Sequence, residues 1–212
     1  MKLNPLQISL RTAFVMLAFS AIMTALLAFT FAMTRDLIAK SEEQEKLALI
    51  EEVLPASLSD NDLLKDSVTL APDPLLGNTS PITAYRARLK GKPSAAVLEA
   101  IAPDGYGGKI SLLVAILADG EISGVRVVSQ NETPGLGDYI EIAKSKWITL
   151  FDRLSLQSVP DAGWHVKKDG GRFDYMTGAT VTPRAVVKAV HKALLYFSKN
   201  RETIFGERKD HE

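Results

Sequence analysis

The chain has no cysteine among its 212 residues. Disulfides, thiolate-held zinc, iron–sulfur clusters and any flavin attached through sulfur are therefore excluded. Histidine is scarce: His165, His191 and His211 show none of the short spacings of a metal site, and no metal ligand is assigned. Net charge is lacking too. Lys and Arg total 25 against 25 Asp and Glu, so no basic surface points to nucleic acid and no acidic excess points to disorder. A chain this poor in reactive side chains must borrow its chemistry.

What the sequence does have is one long apolar run. From Thr12 to Met33 it is apolar or small and uncharged, with Lys2 and Arg11 before it and Arg35 just beyond. About 22 residues at 1.5 Å each cross a hydrocarbon core of roughly 30 Å, so residues 12–33 read as one transmembrane helix in a lipid bilayer. A cleaved signal peptide is the competing reading. The run is long for one, and no good Ala-x-Ala site precedes Arg35. Charge on the two flanks is similar and leaves the orientation undecided. Leu37 to Leu54 continues as a charged helix with a Glu42/Lys46 pair four residues apart, ended by Pro55.

Residues 34–81 thus form a stalk helix and a connection, the latter marked by Pro72, Pro74, Gly77, Asn78 and Pro81. The folded domain is expected at 82–200, with 201–212 as a tail. Ile82 to Leu89 alternates with Tyr85, Ala87 and Leu89 on one face. A turn at 91–93 leads to Ala95–Ile101, and Ile110–Ala118 and Glu121–Val128 flank the hairpin dipeptide Asp119-Gly120. Ile140 to Leu150 reads as a short helix with Trp147 inward. Pro183 to Ser198 reads as a longer one, capped by Thr182, with Val186, Val187, Val190, Leu194 and Phe197 as its apolar stripe. The fold class is α+β, a mostly antiparallel sheet with helices packed on it.

Three runs could serve a ligand. Asp104-Gly105-Tyr106-Gly107-Gly108 and Asn131-Glu132-Thr133-Pro134-Gly135-Leu136-Gly137 flank the central hairpin, where glycines let backbone approach a planar molecule. Asp174-Tyr175-Met176-Thr177-Gly178-Ala179-Thr180 places a hydroxyl at the mouth of the last helix, where unpaired N–H groups and the dipole favour an anion. Arg184, Lys167, Lys168 and Arg172 either compensate such a charge or are simply solvated.

The last run resembles the flavinylation signature Asp-x-x-(Ser/Thr)-Gly-Ala-(Ser/Thr) of the FMN-binding domain family, and the other two resemble that family's Gly-Tyr-Gly-Gly and Glu-Thr-Pro-Gly-Leu-Gly runs in the same order. With one anchor helix, a stalk ending in Val53-Leu54-Pro55 and a length near two hundred residues, the whole chain resembles the G subunits of Rnf-type (Rsx-type) electron transport complexes. The C subunit of the sodium-translocating NADH:quinone reductase shares the motifs but is typically longer between anchor and domain.

The resemblance implies an electron carrier without turnover of its own and no catalytic residue. It would be a redox subunit of an inner-membrane complex coupling electron transfer between ferredoxin and NAD to ion movement, with a cytoplasmic N-terminus and a periplasmic domain. FMN would be joined covalently to Thr180 through a phosphoester by a flavin transferase using FAD and Mg²⁺, and the other subunits of the complex would be the lasting partners. Asp174 would help the transferase recognise or activate the site, or else bond nearby backbone in a turn. Thr177, Gly178 and Ala179 would bring backbone close to phosphate or ring. Met176 would pack on the flavin or in the core, Leu136 would supply an apolar contact and Thr133 a hydrogen bond. Two readings from other classes stand beside this one: a non-redox assembly or sensor domain, and a hydrolase using Thr180 as nucleophile.

Overall fold

A computed structural model describes residues 5–206; His211 and the rest of 207–212 lie outside them. Two compact units divide at residue 45. Helix α1 is Pro5–Val53. Its stretch Ile8–Ile38, of mean hydropathy 2.2, is long and apolar enough to cross a membrane. Three hydroxyls within α1 bond back to carbonyls four residues earlier: Thr12 to Ile8 (3.0 Å), Thr30 to Leu26 (2.8 Å) and Thr34 to Thr30 (2.9 Å). Each of these three hydroxyls is thereby satisfied within the helix, as a lipid surrounding would demand. The Glu42/Lys46 side chains lie outside the described ones.

The second unit is built on a five-stranded antiparallel meander in the order β1-β2-β3-β4-β5. The strands are β1 (Ser67–Leu70), β2 (Ile82–Leu89), β3 (Lys92–Gly105), β4 (Gly108–Leu117) and β5 (Ile122–Ser129). Both faces of the central strands are buried. Ala96, Leu98 and Ala100 of β3 and Leu112, Val114 and Ile116 of β4 face the larger core, shared with Val186, Val187, Val190, Leu194 and Phe197 of helix α2 (Val181–Phe205). Ala95, Val97, Leu113 and Ala115 face a second cluster with Tyr85 and Ala87, closed by Ile50, Val53 and Leu54 at the end of α1. Those three are at most 2% exposed, and full burial of such a side chain contributes roughly 1.5–3 kcal/mol. Ser123 donates to the Val53 carbonyl (2.7 Å) and Arg126 Nε to Glu52 (2.8 Å), tying this end of α1 to β5. The α+β class and the hairpin at Asp119-Gly120 hold: Ile116 pairs with Ile122 across it.

Four expectations are corrected. The folded unit does not begin at residue 82, because β1 pairs with β2 and the stretch before and after it carries the buried Leu63, Leu70 and Leu76. Asp66, at the head of β1, binds both Arg86 (2.5 Å) and Arg88 (2.8 Å). Four residues of strand among prolines and charges show no period to read. Residues 140–150 form no helix but two short 3₁₀ turns, Asp138–Ile140 and Trp147–Phe151. Between them Ser145 donates to the Tyr139 carbonyl (2.7 Å) and accepts from the Trp147 N–H (3.1 Å), competing with a helical ladder. Helix α2 starts at Val181, so Thr182 lies inside it instead of capping it. It also runs on past 200 with a distortion at Asn200. Ile204 is fully buried and Arg86 Nη1 donates to the Gly206 carbonyl (2.8 Å), so 201–206 is no tail.

Candidate functional site

The three motif runs, far apart in sequence, meet at one end of the sheet. Tyr106 and Gly107 form the tight turn between β3 and β4, with Gly105 paired to Gly108. The 131–137 loop follows β5. It is held by its own turns: Leu136 and Gly137 N–H groups both donate to the Thr133 carbonyl (3.0 Å each), and Gly135 N–H donates to Asp138 (2.8 Å). The 174–180 run leads into α2. It is pinned at the Asp174 carbonyl, which accepts from the Trp147 indole (2.7 Å), and at the Met176 N–H, which donates to the Tyr139 hydroxyl (3.3 Å). Burial pushes the Tyr139 phenol up from its ordinary value, against the pull of that Met176 bond.

Between the three runs lies a cleft of about 330 Å³, lined by Tyr106, Glu132, Thr133, Leu136, Gly137, Gly178, Ala179, Thr180, Val181 and Thr182. Glu132 stands at the junction and is only 5% exposed. Its Oε1 accepts from the Gly107 N–H (3.0 Å) and its Oε2 from the Thr182 hydroxyl, so one carboxylate of the second run bonds the first run and the helix turn that follows the third. Two glycines make room for it. A Cβ on Gly137 would stand 2.7 Å from Glu132 Oε2, and one on Gly105 would stand 2.7 Å from Glu132 Oε1.

Thr180 is half-buried immediately before α2 and caps no helical N–H with its side chain. The first main-chain bond of this turn runs from Arg184 N–H to the Thr180 carbonyl (3.4 Å). The N–H groups ahead of it have no helical acceptor, and the helix dipole adds to their pull on an anion. The cleft wall supplies apolar edges from Leu136, Ala179 and Val181, an exposed Tyr106 ring and three threonine hydroxyls. A planar apolar ring carrying a phosphate fits that set of surfaces.

Of the residues singled out from sequence, Thr133, Leu136, Gly178, Ala179 and Thr180 line this cleft. Met176, Thr177 and Asp174 do not. Met176 and Thr177 are exposed on the approach to it. Asp174 is paired with Lys167 (2.5 Å), both side chains more than half exposed. Arg184 is likewise taken: it forms a two-pronged pair with Asp169, holding that carboxyl below its usual range and the guanidinium above its own. Sequence reasoning passes over Glu132, Tyr106, Gly137, Val181 and Thr182 as site residues. Only the glycine-rich setting of Glu132 could flag it.

A larger hollow of about 640 Å³ runs along α2, bordered by Trp164, His191, Arg184, Lys188 and Asp161, and touches the cleft only through Val181. Its cations are engaged, Lys188 with Asp104 as Arg184 is with Asp169. His191 lies flat on Trp164, ring centroids 5.1 Å apart, and burial there lowers its pKa below the ordinary imidazole value although Asp161 opposes the shift. None of the three motif runs opens into it beyond Asp104 at its edge.

Comparison with known proteins agrees with this division. The family model of the FMN-binding domain matches residues 105–195 and that of the RnfG N-terminal region matches residues 1–53. Among similar proteins, the G subunit of the ion-translocating oxidoreductase complex of Pseudomonas aeruginosa is 49% identical over 197 residues, covering 93% of this chain and 92% of the relative. Proteins of the same name from Shewanella baltica and Aliivibrio fischeri are 45% and 42% identical, and each alignment spans more than nine tenths of both chains.

Proposed function

Because this chain belongs to the G-subunit family of ion-translocating oxidoreductase complexes, we propose that it is a membrane-bound electron-transfer subunit of an Rnf-type complex, with FMN joined covalently to Thr180. The observation that carries the reading is the convergence of the three motif runs on one cleft whose wall includes the Thr180 hydroxyl and the open end of α2. In this reading α1 holds the chain in the inner membrane with its N-terminus in the cytoplasm and the folded unit in the periplasm. The subunit serves electron transfer between ferredoxin and NAD coupled to ion translocation. Its partners are the other subunits of the complex and, during maturation, a flavin transferase.

Bound FMN supplies an isoalloxazine that takes up and returns electrons one or two at a time. The chain's own groups hold it. The first-turn N–H groups of α2 would meet the phosphate, and a phosphoester on Thr180 would keep the cofactor from being lost. Leu136, Val181 and Tyr106 offer apolar surface at the cleft mouth, and Thr133 offers a hydroxyl and a turn of backbone. Asp174, exposed on the approach, is available to the transferase. The C subunit of a sodium-translocating NADH:quinone reductase is disfavoured, because the relatives that align over more than nine tenths of both chains are named as G subunits.

The test is chemical. Full-length protein made with its transferase, then denatured and washed, is expected to retain flavin colour and to gain the mass of one FMN phosphoester. Thr180→Val removes the nucleophile and keeps the shape, so it should yield intact, flavin-free chain, while Thr182→Val should still acquire the adduct, at a slower rate. Peptide mapping that puts the adduct elsewhere overturns the assignment. A chain that never takes flavin returns the cleft to the assembly or sensor reading, or, if it turns over an ester, to the hydrolase.

A further inference from the structure

We propose that Glu132 is the positioning residue of the cleft: by accepting two hydrogen bonds it locks the β3–β4 turn and the first turn of α2 together and so sets Thr180 for flavin attachment. The inference rests on the flavin reading of the cleft. It goes beyond that reading in assigning a role to a carboxylate that touches neither the attachment signature nor the start of the FMN phosphate chemistry.

Three observations support it. Glu132 is 5% exposed, and among the described residues no Lys or Arg lies in ion-pair range of it. A buried carboxylate without a cation is expensive to keep, so it is retained for what it bonds. Its two partners come from segments 25 and 50 residues away in the chain, Gly107 N–H on one oxygen and the Thr182 hydroxyl on the other. Thr182 is two residues past Thr180, so holding its side chain holds the turn that presents the Thr180 hydroxyl. Finally, Glu132 is itself fixed, its N–H bonded to the Gln130 side chain, which is bonded in turn to Glu141 (2.7 Å).

The two bonds differ in a way that makes the idea testable. Gly107 N–H can only donate, whereas the Thr182 hydroxyl can donate or accept. A glutamine at 132 therefore keeps both contacts, its carbonyl receiving Gly107 and its amide donating to a reversed Thr182 hydroxyl. Alanine keeps neither.

Purified full-length apoprotein is mixed with transferase, FAD and Mg²⁺, and flavin on the denatured chain is followed against time alongside melting curves. Glu132→Ala is expected to load about tenfold more slowly, Glu132→Gln within about twofold of wild type, and Leu98→Ala, a fully buried position in mid-sheet, at the wild-type rate despite a lowered melting temperature. Should Glu132→Ala not fold, Glu132→Met, which fills the space and accepts neither bond, takes its place. Wild-type loading by the truncated side chain overturns the proposal. So does slow loading by Glu132→Gln, which would make the charge decisive, or by Leu98→Ala, which would make general loosening the cause. If wild type itself takes no flavin, the cleft's flavin reading has failed, and that outcome is separate from any of these.

Discussion

At the scale of the residue, side chains at this site separate into those that build and those that are presented. Asp174 belongs to the second kind. Among the described residues its carboxylate meets only Lys167, and with the two side chains 60% and 57% exposed such a pair contributes about 0–1 kcal/mol. The structural duty at this position falls to the carbonyl that receives the Trp147 indole, which any residue supplies. Asp174→Ala should therefore melt within a few degrees of wild type and yet load flavin poorly, read by thermal unfolding and intact mass on the same sample. A large loss of stability with normal loading would make it a structural aspartate. Glu132 shows the reverse, and shows why sequence alone does not find it: a carboxylate in a Pro-Gly loop reads as solvated, and nothing local tells that the chain on either side folds over it. Thr182 is hidden for a related reason. Thr-Pro resembles a helix start, but the helix begins two residues before Pro183 and the Thr182 hydroxyl is drawn to Glu132.

At the scale of the element, the strands are legible because each carries a period and is punctuated by turn residues; β2 and the β4–β5 hairpin fall within a few residues of expectation. What cannot be read is partnership. β1 is a strand only because β2 pairs with it, and the turns at 138–140 and 147–151, bonded through Ser145, set Trp147 edge to face with Tyr139 and Phe151, ring centroids 5.6 and 5.5 Å apart. The end of α1 is another such partnership. Gly124 of β5 lies under Val53, and a Cβ there would come 3.1 Å from the Val53 Cα. Gly124→Leu should lift Ile50, Val53 and Leu54 off the sheet, costing about 1–3 kcal/mol by overpacking and lowering the melting temperature of the full chain. An unchanged midpoint would show that this contact contributes little.

At the scale of the whole molecule, the absence of cysteine becomes an experimental handle. A single thiol introduced at exposed Lys168 should react with a membrane-impermeant maleimide in spheroplasts, while one replacing Lys2 should react only after lysis. The opposite pattern would reverse the orientation proposed for the folded unit. The long apolar stretch itself is plain in the sequence, since nothing but length and apolarity is needed to see it.

The meander has a consequence for the moment of birth. Every strand pairs with the one synthesised just before it, so hairpins can close in succession as the chain emerges, each a local event of microseconds. The cleft cannot follow that schedule. Its walls come from 106, from 132–137 and from 178–182, and the last of these arrives with α2, after the whole sheet has been made. A chain cut short of α2 possesses strands but no pocket, so completion of the polypeptide is a precondition for the site.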